Sequence, residues 1–377
     1  MAGSTAIAPP ETEDAPAAPS GKWERVVLAV GLAWLVFTVV QTFLSGRWWF
    51  MLAPDLMPPL VFLLLPWLPA AGLLVRRRAS RRVAATTLGA GFLSFALGLP
   101  WSGLNVHALE GRPAVPPGAL RIMSWNTESW GKFTSPERFY GYLRAQRADV
   151  YLLQEVVRTD ADDANPQAIS AADTARIYTE FPGWHIVVRG ELVTISRFPI
   201  VGRPAVGPDR ALANRPDPGW PALYLACKVL RTDVLVGGRV LSLYNVHMPV
   251  QVDMRQNPLT PAFYATFRSR SPARQAQFRG LLADLKADPH PALVAGDFNT
   301  SPAMGDIKRL TGRLNDASHR SRSLYPVSWN ELGSLRLWRL DWAFTTRAVN
   351  VERYALTPAP RGFSDHRAQL IRASLRS

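Results

Sequence analysis

The 377-residue chain holds a single cysteine, Cys227, so no disulfide can form within it. It has no internal repeat, which excludes a repeat architecture. Acidic residues are comparatively scarce: 43 Lys and Arg stand against 29 Asp and Glu, a formal net charge of +14. A basic surplus suits polyanions, whether nucleic acid, phosphate groups or anionic lipid, and does not choose among them. Charge is missing altogether from three stretches near the N-terminus: Val26–Gly46, Leu56–Val75 and Val83–Leu104. A helix crossing a bilayer needs roughly 20 apolar residues. The first stretch is too long for the core of a secretion signal and has no small-residue cleavage site after it.

These runs predict a membrane domain over 23–104 with three helices at about 26–46, 56–75 and 83–104, behind a disordered cytoplasmic tail, 1–22, rich in Ala, Pro, Thr and Glu. The second run carries four prolines, which kink it. Gly and Ala in the third permit close helix packing. Trp48, Trp49 and Trp101 sit where interfacial aromatics are expected. Between the second and third runs lies "RRRASRR", five arginines in residues 76–82. The positive-inside rule places that loop in the cytoplasm. With three spans, the N-terminus is then cytoplasmic and everything after residue 104 is outside a bacterial plasma membrane.

Residues 105–119, with three prolines and two glycines, read as a linker. From Leu120 the pattern becomes short apolar runs broken by turns: "LRIMSWN", "DVYLLQEV", "LVTISRF", "RVLSLYNVH", "ALVAGDFN" and "LDWAFTT" read as strands. Helices are expected over 135–146 and 272–287, the latter with an apolar stripe of Phe278, Leu281, Leu282 and Leu285. Strands and helices without regular alternation predict an α/β fold with mixed sheets.

Several strands end in polar groups. Asn126 closes the first and Glu155 the second; Asn245 and His247 close a third; Asp297 and Asn299 close a fourth; Asp341 lies inside a fifth; Asp365 and His366 precede the last. Alone, each is an ordinary turn residue or a satisfied core group. Together they are harder to dismiss. Burying a carboxylate without a partner is costly, and sites in layered α/β folds form where strand ends converge.

The segments "SWNTES", "LLQEV", "ISRFPI", "YNVHMP", "GDFNTSP", "RLDWAF" and "SDHRA", in that order, resemble the endonuclease/exonuclease/phosphatase superfamily, which includes pancreatic deoxyribonuclease, exonuclease-III type repair nucleases, neutral sphingomyelinases and inositol-polyphosphate 5-phosphatases. The resemblance covers about Leu120 to Leu370. The N-terminal spans resemble a membrane-anchored bacterial subgroup that includes vancomycin/teicoplanin-resistance type proteins.

The resemblance implies a four-layer sandwich of two mixed β-sheets flanked by helices, here over 120–377 and preceded by three transmembrane helices. It also implies hydrolysis of a phosphoester or phosphoanhydride with Mg²⁺ or Mn²⁺. Asn126, through its amide oxygen, Glu155 and Asp365 would hold the metal. Asp297 would orient the attacking water, and Asn299 would hold water or phosphate. His366, paired with Asp341, and His247 would move protons. Asn245 would contact phosphate. Ser301 and Pro302 are expected to start a helix that fixes Asp297 and Asn299. Glu191 is either the acid that pairs with His247 or a solvated turn residue.

The expected partners are the bilayer and a lipid phosphate or polyprenyl pyrophosphate at its outer face. Two alternatives remain open: a membrane-tethered nuclease, since residues 105–377 hold 35 basic and 24 acidic side chains, and a non-catalytic envelope binding protein.

Overall fold

The structure, a computed structural model, describes residues 21–75, 80–130, 134–159, 165–253, 255–329 and 336–376. The expected tail therefore lies almost wholly outside the described residues, as do Arg76–Arg78.

Helix α1 (Lys22–Leu44) leads into two short 3-10 turns, Trp49–Leu52 and Pro54–Leu56. Helices α2 (Val61–Leu64), α3 (Leu68–Val75) and α4 (Arg81–Gly98) follow. Among the described residues, two helices are long and apolar enough to cross a membrane, Lys22–Leu44 and Arg81–Trp101. The expected middle span is a pair, Trp49–Leu56 and Val61–Leu74, bent by 76°. Prolines 58 and 59 at the break account for the bend. Val26, Val36 and Phe43 of α1 and Phe92 of α4 are exposed, so these helices are not covered by protein. A helix that is apolar on its outer face suits a lipid surrounding.

The sandwich begins with β1 (Leu120–Asn126), α5 (Pro136–Ala145), β2 (Val150–Gln154), α6 (Ala171–Glu180), β3 (His185–Arg189), β4 (Leu192–Ser196) and β5 (Ile200–Gly202). It continues through α7 (Trp220–Ala226), β6 (Val229–Val236), β7 (Arg239–His247), α8 (Pro261–Ala287), β8 (Ala292–Asp297), α9 (Gly305–Thr311), β9 (Asn315–Asp316), β10 (Asp341–Thr345), β11 (Val349–Thr357) and β12 (Ala368–Leu375). Six strands form one sheet in the order β11-β12-β1-β2-β4-β3, and six form a second in the order β5-β6-β7-β8-β10-β9. β1 runs parallel to β2 and β7 parallel to β8; the other pairs are antiparallel.

Three apolar layers hold the sandwich. Ile122, Leu152, Leu243, Leu293 and Ile371 fill the space between the sheets. Trp125, Phe139, Tyr151 and Ile177 pack α5 and α6 on the first sheet. Phe278, Leu281, Val294 and Ile307 pack α8 and α9 on the second. Central strands are covered on both faces, so β2 and β8 read as continuous apolar runs rather than alternating ones.

Two local expectations are corrected. α8 starts at Pro261 and runs through Pro272 rather than starting there. Phe263 and Phe267 pack with Leu52, which holds the segment ahead of the proline. Ser301 does not cap a helix; α9 begins at Gly305 behind Met304. A Cβ on Gly305 would lie 2.0 Å from the Ser45 carbonyl oxygen, and the Gly305 N–H donates to Ser45 Oγ at 2.7 Å. The chain leaving α1 thus decides where α9 starts.

That contact is one of several joining the N-terminal helices to the sandwich. Gln41 Nε2 donates to the Ala303 carbonyl at 2.7 Å, and Trp338 Nε1 to the Leu56 carbonyl at 3.1 Å. Ser45 Oγ donates to Asp55, at 2.7 Å from Oδ1. The segment expected as a linker is docked as well: Asn105 Nδ2 donates to the Ser318 carbonyl at 2.9 Å.

Candidate active site

The two parallel pairs point their C-terminal ends to one edge of the sandwich. Asn126 lies beside Gln154 in the register of β1 and β2, and His247 beside Asp297 in that of β7 and β8. β10 and β12 run the opposite way, so their first residues reach the same edge. Asp341 pairs with Asp297, and His366 lies just ahead of β12. Six separate stretches of sequence therefore meet because the sheets mix parallel and antiparallel neighbours.

Asp297 is the centre. Its Oδ2 lies 3.7 Å from His247 Nε2, 3.6 Å from His366 Nε2 and 3.0 Å from Asn126 Nδ2. Its Oδ1 accepts the Asn299 N–H at 2.7 Å. Asn299 Nδ2 donates to the Met248 carbonyl at 2.9 Å, which holds the turn closed. Gly296 has no substitute here, because a Cβ would come within 1.9 Å of the Val246 carbonyl oxygen.

Each histidine places Nδ1 against a buried acid and offers Nε2 to the centre. His366 Nδ1 lies 2.8 Å from Asp341 Oδ2. His247 Nδ1 lies 3.0 Å from Glu191 Oε1, and its Nε2 is 3.4 Å from Glu155 Oε1. Glu191 is fully buried, so it is the pairing acid and not a solvated turn residue. Lys228, also buried, bonds the same Glu191 oxygen and lies 3.7 Å from the Tyr224 ring centroid.

Burial alone would push both imidazoles toward the neutral form. For His366, Asp341, Asp365 and Asp297 outweigh it and hold the pKa well above the ordinary value. For His247, Glu191 and then Glu155 raise the pKa above the ordinary value. Burial likewise pushes Glu191 up, but His247 and Lys228 hold it down to about 2.

A carboxyl with a depressed folded pKa stabilises the protein above its unfolded pKa, and that stability is lost as pH falls through the folded value. The wild type should therefore melt above Glu191→Gln at pH 6, and the gap in Tm should shrink as pH falls from about 4.5 toward 2. A constant gap over that range would contradict the pairing.

Six acids, Asp55, Glu128, Glu155, Glu191, Asp297 and Asp365, line one cavity of about 780 Å³ together with both histidines. Glu128 was not anticipated. Its Oε2 accepts the Asp365 N–H at 2.7 Å. Burial, with Asp365 and Glu155 nearby, pushes its carboxyl up to about 7. Burial also raises Glu155 and Asp297. Asp365 Oδ2 accepts from Trp329 Nε1 at 2.6 Å, while its buried Oδ1 has no hydrogen-bond partner.

Converging carboxylates that burial disfavours, one with an unsatisfied oxygen, fit a hard divalent cation, which takes oxygen ligands. Ligand atoms of Glu155, His247 and Asp297 lie within 4.8 Å of one another, as do those of Asp297, Asp341 and His366.

Two expected roles are not what the side chains do. Asn126 was expected to offer its amide oxygen to the metal. That oxygen instead accepts the Glu128 N–H at 3.0 Å, and the nitrogen faces Glu155 at 2.9 Å and Asp297. Asn245 was expected at the phosphate. It is fully buried between the sheets: Oδ1 accepts from Gln154 at 2.6 Å, and Nδ2 donates to the Leu153 and Val193 carbonyls at 3.0 Å each. With every amide group engaged, it ties the sheets together behind the site.

The backbone around the site is unusual too. Non-glycine residues with positive φ among the described residues are Glu128, Ser129, Arg147, Glu155 and Asn299, and four of these five flank the acid cluster. Such conformers cost of order 1–3 kcal/mol each and persist where surrounding structure imposes them. At Glu155, the Thr127 hydroxyl and Trp130 N–H both donate to its carbonyl, at 3.0 and 3.3 Å, and impose the turn.

The model of the Endonuclease/Exonuclease/phosphatase family matches residues 123–366. The chain belongs to this family. Its members are phosphoesterases and nucleases that depend on a divalent metal, and this chain carries a candidate acidic and histidine metal site.

Similar solved structures include an endonuclease/exonuclease/phosphatase from Beutenbergia cavernae at 19% identity, covering 68% of this chain and 71% of that one with a TM-score of 0.46. A 3′ phosphatase from Neisseria bound to a product DNA hairpin is 18% identical over 69% of this chain and 100% of its own, TM-score 0.45. The human Nocturnin catalytic domain with bound sulfate is 18% identical over 72% and 99%, TM-score 0.44. No curated protein matches this chain.

Proposed function

We propose that the protein is a membrane-anchored, Mg²⁺-dependent phosphohydrolase that cleaves a lipid phosphate or polyprenyl pyrophosphate at the outer face of a bacterial plasma membrane. The observation that carries this reading is the shared cavity: Asp55 and Leu56, from the segment between the N-terminal helices, line it together with Asp297 and both histidines.

Glu155, Asp365 and Glu128 would hold the cation, with Asp297 beside them. When bound it neutralises phosphate charge and lowers the pKa of water. Asp297 accepts a proton from the attacking water and aims it. His247 and His366, kept protonated by their acids, donate Nε2–H to phosphate oxygens and to the leaving oxygen. The water oxygen joins phosphorus, the bond from phosphorus to the leaving oxygen breaks, and the water protons end on the two products.

Inorganic phosphate release from a polyprenyl pyrophosphate in detergent, measured beside nicking of plasmid DNA, tests the substrate. Rapid DNA cleavage with no lipid turnover would replace this reading with the tethered nuclease. The basic surplus of the catalytic region favours that second reading. It would also show affinity falling steeply with salt as phosphate contacts release counterions.

Topology has its own test. The arginines at 76–82 should hold their loop in the cytoplasm. A reporter fused after Ser377 should then work only if it is active outside the cytoplasm. A cytoplasmic signal would overturn the assignment.

A further inference from the structure

The cavity that holds the acid cluster is larger than a phosphate needs, at about 780 Å³. Beyond Asp297 and the histidines its lining turns apolar, through Leu56, Val250, Val252, Met304, Trp338 and Leu340. One of these, Leu56, belongs to the segment between α1 and α2 rather than to the sandwich. We propose that this apolar part is a subsite for the hydrocarbon chain of a membrane lipid, with the segment Trp49–Leu56 as its specificity-determining wall. The inference rests on the phosphohydrolase reading above and names what lies beyond the phosphate.

Three observations select a lipid chain as the occupant. The first is continuity. Leu56 and Val252 pack in one cluster with Trp49, Leu52, Phe263 and Phe267, so the cavity wall and the membrane-adjacent segment are the same apolar body. The second is exposure around that body. Trp48 and Phe50 at the start of the segment are 55% and 43% exposed, and Leu259 and Tyr264 at the start of α8 are 91% and 43% exposed. Large exposed apolar groups beside a helix long and apolar enough to span would be costly in water and are at home in a head-group layer. The third is fixation. Trp338 Nε1 ties the Leu56 carbonyl at 3.1 Å, Arg270 Nη1 ties the Val252 carbonyl at 2.7 Å, and Ser45 ties Asp55 at 2.7 Å. The wall is held in place from both the helices and the sandwich, as a selective pocket requires.

A chain entering along this wall would run from the bilayer side to the acid cluster, placing its phosphate at Asp297. A water-soluble phosphoester without an apolar substituent gains nothing from it. Each methylene buried adds to binding, so affinity should climb with chain length until the wall is covered.

The test uses the full chain in detergent micelles with Mg²⁺, and isoprenyl pyrophosphates of five and fifteen carbons. For the wild type, kcat/KM should be about tenfold or more higher for the longer chain, through KM. Leu56→Gln and Val252→Gln should each cut that ratio by about fivefold. A wild-type ratio near one, or variants that keep the wild-type ratio, would overturn the subsite. Turnover of neither compound would instead count against the phosphohydrolase reading. A photoactivatable alkyl phosphate, with its diazirine at the chain end, then decides the subsite without turnover. Labels at 56 and 250–252 support it, and labels confined to the outer faces of α1 and α4 overturn it.

Discussion

Asp341→Asn should lower phosphoester hydrolysis by about 1,000-fold, the scale on which a buried acid that orients a catalytic histidine matters. Asp341 is fully buried, and its Oδ2 sits 2.8 Å from His366 Nδ1. It is also the strongest of the acids that hold the His366 pKa up. The amide keeps the shape and removes the charge. Its NH₂ group can donate to Nδ1, which turns the imidazole to the wrong tautomer. The pH profile supplies the independent readout. A group raised by Asp341 falls when Asp341 loses its charge, so His366 gives up its proton at lower pH. The alkaline limb of the kcat/KM profile should therefore move to lower pH in the variant. Activity within threefold of wild type across the pH range would remove His366 and Asp341 from the chemistry.

The second large effect is at the metal and at Asp297. A chelator should abolish hydrolysis, and Mg²⁺ or Mn²⁺ should restore it. Asp297→Ala and His366→Ala should each lower the rate by roughly 100-fold or more, the scale of lost acid–base catalysis. Asp297 touches both histidines and Asn126, so its loss affects both sides of the phosphate. Because burial raises the Asp297 carboxyl and the neighbouring Asp341 raises it further, Asp297→Ala should not lower the Tm by much. That separates loss of chemistry from loss of fold. Full activity in both variants, or activity untouched by chelation, would end the assignment of this site.

The sequence alone marked apolar N-terminal runs and a later region of short strands. Uncharged runs of helical length and the later short apolar runs are one-dimensional signals, and neither depends on what packs against them. It also marked residues that the fold brings to one edge. Glu155, His247, Asp297, Asp341 and His366 stand at strand ends, where a charged residue in an apolar run needs a partner. Lys228, just ahead of the buried run of β6, was passed over, because Arg231 and Asp233 follow it in the same run. Glu128 sits in a polar stretch, "NTES", where nothing marks one acid above its neighbours.

What only the tertiary structure decided is which groups face one another. Asn245 reads as a site residue because it lies on the same strand as His247 and, two residues earlier, on the same face of the sheet. Yet it is committed to the Gln154 amide and to two carbonyls across the sheets. Asn126 keeps its place but turns its nitrogen, not its oxygen, to the carboxylates, because the Glu128 N–H two residues on claims the oxygen. Glu191 could be told from a surface turn only by the 3.0 Å approach of His247 from another sheet. The joining of the N-terminal helices to the catalytic cavity was equally out of reach. Ser45 with Gly305, and Leu56 with Trp338, are contacts between residues hundreds of positions apart, and no local pattern encodes such a pairing before the chain folds.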